Sequence, residues 1–163
     1  MMQVQSKADL HHDVSQFLFR EARCADDHRY EEWEALWSDD GIYWIPANGD
    51  DLDPERQMSI IYDNRSRIRL RVRQLMTGKR HTQEPQSRLR RIVGNIEIIK
   101  VEERELHVAC NTMIFESALR GDILWASKNE FVLRRNGYDF MIARKKVALV
   151  NNDKAIFTLS FLV

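Results

Sequence analysis

Four long segments rich in Val, Ile and Phe, roughly 88–101, 105–119, 122–135 and 138–150, fill the second half of the chain, with only EERE, RGD and NG between them. Runs of this length separated by such short breaks have no room for crossover helices, so they predict an antiparallel meander. Asn136-Gly137 between two apolar runs is the strongest of the hairpin signals and matches a type I′ turn. A last apolar segment, Ala155 to Val163, is expected to pair or dock.

The first half reads differently. After Ser6, with Asp9 three residues on as a capping pair, Leu10, Val14, Phe17, Leu18, Ala22 and Ala25 fall on one helical stripe that Asp26-Asp27 interrupts. A second short helix is expected with Tyr30, Trp33, Leu36 and Trp37 on one face, ended by Ser38-Asp39-Asp40-Gly41. IYWIP, residues 42 to 46, reads as a strand near a sheet edge because Pro46 cannot donate to a ladder. Helices first and a meander afterwards give an α+β fold, with the helices packed on one face of a strongly curved sheet. With 163 residues, 44% of them hydrophobic, the expectation is a single domain over 1–163, helices mainly at 7–40 and 63–77 and sheet mainly at 41–47 and 87–163.

Residues 64 to 73, NRSRIRLRVR, fit two periods. With period two, Ile68, Leu70 and Val72 alternate with arginines as on a half-wet strand; with period 3.6, Ile68, Val72, Leu75 and Met76 form a stripe. An N-cap at Asp63 or Asn64 and a stop at Gly78 favour the helix. The charge around this stretch is divided sharply. Met1 to Asn64 carries fifteen acidic and five basic residues, whereas Arg65 to Arg91 carries ten basic residues and only Glu84. The formal net charge of the whole chain is zero, and a nucleic-acid binder more often carries a basic excess throughout. Two opposed blocks instead suggest surfaces that pair with each other or with another subunit, and arginine suits that role through bidentate bonds to carboxylates. Arg65, Arg69, Arg73, Arg88 and Arg90 are the candidate ion-pair or interface arms.

Signals for chemistry are sparse. His11, His12, His28, His81 and His107 include no i, i+4 pair, and there is no CxxC, no glycine-rich phosphate loop and no GxSxG. No catalytic, cofactor-binding or metal-binding set is assigned. Cys24 and Cys110 read as buried thiols. The N-terminus lacks a secretory core and no apolar run is long enough to span a bilayer, so a cytoplasmic location is expected, with neither membrane nor nucleic acid as partner. Acid–base work in a pocket is the remaining catalytic option. Asp27, Tyr43 and His81 are its candidates, with Asp26, His28 and Tyr62 beside them, and together they define an alternative, a stand-alone cone-fold lyase or isomerase. Trp33, Trp37, Trp44 and Phe17 are bulky enough to fill such a cone instead.

Motif order extends these readings. FLFREARCADDHRYEEWEALWSDDGIYWIP resembles the opening of the small (β) subunits of aromatic-ring-hydroxylating dioxygenases, the Rieske non-haem iron oxygenases, with their FLYREA, DD, W and YWMP. MSIIYDNRSRIRLRVRQLMTGK is similar to their I-Y-x-N-R, R-V and T-G-K stretch, EPQSRLRRIVGNI to P-x-S/T-R-x-x-H-x-V-x-N-V, and NGYDFMIARKKVAL to G-W-K-I-A-R-R-x-V-x-L. The matches run in order over nearly the whole chain. Two departures stand out: Arg91 replaces the usual histidine, and Tyr138-Asp139-Phe140 replaces W-K. The resemblance implies a cystatin-like α+β cone, as in ketosteroid isomerase and scytalone dehydratase. It also implies a non-catalytic role beside a large (α) subunit that carries the Rieske 2Fe-2S cluster and the mononuclear iron, often as a trimer within a hexamer of three large and three small chains. The Asp-Pro, I-Y and N-R features lean toward the branch acting on benzoate or anthranilate.

Overall fold

Ser6 starts the first helix as expected: its Oγ accepts from the Asp9 N–H at 3.0 Å and donates to the Asp9 carboxylate at 2.6 Å. The computed structural model describes residues 4–50, 53–77, 86–154 and 159–163. Helix α1 spans Lys7–Asp26 and buries the whole stripe Leu10, Val14, Phe17, Leu18, Ala22 and Ala25. Glu21 and Asp26 are buried on the same helix, two charges that the stripe alone does not announce.

Helix α2, Tyr30–Glu34, is shorter than expected, and strand β1, Trp37–Pro46, begins where the helix was expected to continue. The Ser38-Asp39-Asp40-Gly41 run is therefore strand, not a helix stop. It departs from regular pairing, because the β1–β6 register shifts between Trp37 and Ile42. Gly41 permits this course: a Cβ there would lie 2.8 Å from Cε3 of the Trp37 ring. Strand β2, Ser59–Asp63, was not expected at all. It is short and occupies one edge of the sheet, pairing Tyr62 with Trp44 and Asp63 with Tyr43.

The arginine-rich stretch is helix α3, Arg65–Met76, with the Asn64 side chain capping the Arg67 N–H at 3.0 Å. Ile68, Val72 and Leu75 face inward, so the period of 3.6 prevails over the period of two. The expected stop at Gly78 lies outside the described residues.

Strands β3 (Arg88–Val101), β4 (Glu105–Ala118), β5 (Gly121–Asn136) and β6 (Asp139–Leu149) form the meander, and the sheet order is β2-β1-β6-β5-β4-β3. The β1–β6 pair is parallel and every other pair antiparallel. Asn136 pairs with Asp139, so the turn residues are Gly137 and Tyr138. Only Gly137 has positive φ, at 63°, the mark of a type II′ rather than a type I′ turn. Among the described residues the sheet expected at 87–163 ends at Leu149. Beyond it, residues 159–163 dock without joining a strand, with Ser160, Phe161, Leu162 and Val163 buried.

The helices pack on the concave side. One apolar cluster joins α1, α2 and α3 to the inward positions of β1 and β3–β6, with Trp33, Trp37 and Tyr43 edge to face at 5.3–5.7 Å. Cys24 and Cys110 are both buried and unbonded. Among the described residues no helix is long and apolar enough to cross a membrane.

Candidate functional site

The space enclosed between α1 and the sheet is where this architecture could hold a small molecule. Here it is almost closed: about 10 Å³ remains among Leu18, Glu21, Arg91, Phe131, Lys145 and their neighbours. That is about the space of a single water.

The filling is partly aromatic and partly charged. Lys145 Nζ lies 2.6 Å from Glu21 Oε1, and the Trp33 indole donates to the same oxygen at 3.0 Å. Burial pushes the Glu21 carboxyl up, but Lys145, Arg91 and the two hydrogen bonds outweigh it and hold the carboxyl below its ordinary range. Burial also lowers Lys145, against the pull of Glu21. Beside this pair, Arg91 Nε meets Asp26 Oδ1 at 2.6 Å, its backbone N–H meets Oδ2 at 2.9 Å, and its side chain is only 2% exposed. Tyr43 stands fully buried between the two pairs, bonded to the main chain of Val163, and burial raises its phenol far above the usual value. Among the described residues it is a fully buried core side chain whose hydroxyl is taken up by Val163, which does not fit the expected role of a pocket acid or base.

Of the four side chains expected to fill the cone, three do so: Trp33 and Trp37 with Tyr43, and Phe17 edge to face with Phe140 at 5.8 Å. Trp44 does not. It follows Tyr43 in β1 and so faces the opposite side, where its indole donates to Ser59 Oγ and the Arg144 and Lys146 cations sit over its ring. Tyr62 is beside it and donates to Glu55.

Asp27 and His28 border a separate open groove of about 750 Å³ between the end of α1 and strands β3–β5. His28 has φ 55°, and both ring nitrogens are engaged, Nδ1 with Tyr30 Oη and Nε2 with the Ser87 carbonyl, each at 2.9 Å. Asp27 faces Arg90 at 3.3 Å. Glu116, missed by the sequence reading, is buried in the groove wall and accepts from Ser87, Trp125 and Arg120. These groups are tied to structural partners. His81 lies outside the described residues.

The arginines divide. Arg65 and Arg69 share Glu34, at 2.9 and 3.3 Å, and Arg71 meets Asp63 at 2.7 Å. Burial raises the Glu34 carboxyl, but the bonds from both arginines outweigh it and lower it. Each of these acids belongs to the acidic N-terminal block. Arg73 and Arg88 have no carboxylate partner among the described residues.

Glu102, Glu105 and His107, near the β3–β4 turn, bring ligand-type atoms within 4.8 Å of one another, a grouping that a search for paired histidines on a helix does not address. Lys100 already meets Glu102 at 2.7 Å and Arg134 meets Glu105 at 3.0 Å, so two cations neutralise the cluster.

The family model described as ring hydroxylating beta subunit matches residues 20–153, which include α2, β1, both pairs of buried charges and the arginine helix. The chain belongs to that family. Among curated relatives, the small subunit of anthranilate 1,2-dioxygenase from Acinetobacter baylyi is 31% identical over 160 residues, covering 94% of this chain and 96% of the relative. The small subunit of 2-halobenzoate 1,2-dioxygenase from Burkholderia cepacia is 30% identical over 147 residues, 86% of this chain and 88% of the relative. The crystal structure of the beta subunit of benzoate 1,2-dioxygenase from Burkholderia mallei superposes with a TM-score of 0.78 at 22% identity, covering 99% of this chain and all of that one. The cone fold is thus shared along the whole of a beta subunit.

Proposed function

We propose that this beta-subunit chain is the non-catalytic small subunit of the terminal oxygenase of an aromatic-ring-hydroxylating dioxygenase, and that it supports assembly with a larger, iron-containing subunit. The carrying observation is the closed cone: a member of this family whose interior leaves about 10 Å³ has no room there for an aromatic substrate. The large subunit would carry the Rieske 2Fe-2S cluster and the mononuclear iron, and the complex would contain three large and three small chains in the cytoplasm. An aromatic carboxylate is the substrate class in this reading, supported by the relatives named for anthranilate and 2-halobenzoate. Arg73 and Arg88, together with the exposed Arg90, are the arms proposed to face a neighbouring chain; Arg65 and Arg69 serve the fold through Glu34.

The stand-alone lyase or isomerase has less support in this reading, since Tyr43 is buried and, among the described residues, Asp27 is bonded to Arg90 and His28 to Tyr30 and Ser87. The deciding experiment is affinity purification of the tagged chain from its source cells grown on aromatic compounds, with an iron assay and a visible spectrum. A larger partner bringing iron and a Rieske-type absorption is expected. A colourless chain that returns alone would overturn the proposal.

A further inference from the structure

Residues 160–163 enter the cone in a way that ordinary tail packing does not explain. Among the described residues they join no strand, and the main-chain bonds of Leu162 and Val163 come from side chains on three strands of the sheet. Arg91 of β3 donates from Nη2 to the Leu162 carbonyl at 2.8 Å. Lys145 of β6 donates to the Val163 main-chain oxygen at 2.6 Å. Tyr43 of β1 donates to that same oxygen at 3.0 Å and accepts from the Val163 N–H at 3.1 Å. The apolar side chains find matching walls: Phe161 meets Trp125 edge to face at 5.9 Å, and Leu162 and Val163 are each 1% exposed. Burying a lysine and an arginine is costly unless their donors are used. Glu21 and Asp26 supply the opposite charges, and the main-chain oxygens of Leu162 and Val163 take a further donor from each cation.

We infer that the cone of this chain is a peptide-binding site, built to take two consecutive main-chain oxygens flanked by an aromatic and a branched aliphatic side chain, and occupied in cis by residues 160–163. Recognition is divided as in other peptide sites: Arg91, Lys145 and Tyr43 read the main chain, while Trp125 and the apolar lining read the side chains. The site goes beyond the assembly role and stands without it. Once the tail is withdrawn, the same three donors lose these acceptors while Lys145 and Arg91 keep Glu21 and Asp26, and a peptide of matching sequence supplied from outside fits the vacated seat as the tail did.

Hydrogen exchange on the full-length chain, followed by NMR, tests this first. The Val163 amide is expected to exchange at least about a hundredfold more slowly than in an unstructured peptide, and Tyr43→Phe is expected to erase most of that protection while the amides of β4 keep theirs. A Val163 amide that exchanges freely in the parent chain, or one indifferent to Tyr43→Phe, overturns the inference. The second arm uses full-length Leu162→Asp, whose tail is repelled from the apolar seat, and a fluorescent Ser-Phe-Leu-Val peptide with its N-terminus blocked. Saturable binding is expected to Leu162→Asp and not to the parent, and adding Tyr43→Phe should weaken it about tenfold, the worth of one or two net hydrogen bonds. A folded Leu162→Asp chain that takes up no peptide at millimolar concentration overturns the inference; if that variant does not fold, the exchange measurements on the parent and Tyr43→Phe decide.

Discussion

Lys145 Nζ lies 2.6 Å from Glu21 Oε1 across 124 residues of sequence, and neither side chain is more than 5% exposed. The pair ties the C-terminal part of α1 to β6 inside the cone, where only a complete set of partners makes burial tolerable. Lys145→Met leaves Glu21 charged among apolar neighbours and is expected to cost about 3–5 kcal/mol. The double variant Glu21→Gln, Lys145→Met removes both charges and should recover a large part of that loss. Urea unfolding of the two single variants and the double gives the coupling directly, and additive losses would mean that the pair does not act as a unit.

Gly41 and Gly94 should respond oppositely to alanine. At Gly41 the new methyl meets the Trp37 ring at 2.8 Å and the Ser38 carbonyl at 3.1 Å, and the ring is locked between Trp33 and Tyr43, so a loss of about 1–3 kcal/mol is expected. At Gly94 the methyl meets nothing within 4 Å and the backbone is not left-handed, so stability should stay level or rise by up to about 1 kcal/mol. Thermal melts of both variants check the contrast.

Asp40 carries a pH signature. Hydrogen bonds from Arg134 and then Ser38 hold its carboxyl at about 2, against 3.8 for the free group. A lowered folded value means that the contribution is full above the unfolded value of 3.8 and fades as pH falls from there through about 2. The side chain is 65% exposed, so solvent screening limits the contribution to about 0.5–1 kcal/mol. Asp40→Asn should therefore be less stable than the parent at pH 6 and equal to it near pH 2. A gap that persists unchanged at pH 2 would point to packing rather than charge.

How much of this was legible depended on whether a pattern could be closed locally. The α1 stripe, its Ser6 cap, the Asn64 cap of α3 and the meander all follow from residues within a turn or a hairpin of one another, and they were read correctly. Ser38-Asp39-Asp40-Gly41 carries the composition of a turn, but Trp37 is held by Trp33 and Tyr43 and pairs with Ile142, a partner more than a hundred residues away, so tertiary packing draws the run into a strand. Glu21 and Lys145 escaped notice for the same reason. A signal existed: Lys145 is in phase with Val147 and Leu149, on the inward side of β6, where a charge requires a partner. Which carboxylate answers it is a property of the fold.

Arg65 and Arg73 sit two turns apart on α3, and the expected consequences of replacing them differ. Arg65 and Glu34 are each 18% exposed and bonded at 2.9 Å, so Arg65→Met acts on the fold and should cost about 1–3 kcal/mol in urea unfolding. Arg73 and Arg88 have no carboxylate among the described residues, so the double variant Arg73→Met, Arg88→Met should leave the unfolding midpoint within about 0.5 kcal/mol of the parent. Their proposed work is between chains. Co-purification of the large subunit with this double variant should therefore be weaker than with the parent at low salt and fall less steeply as salt is added, because fewer charge pairs remain to be screened. Size-exclusion chromatography of the complex at low and raised salt reads this out. Undiminished assembly at both would remove these two arginines from the interface and leave the apolar contacts to carry it.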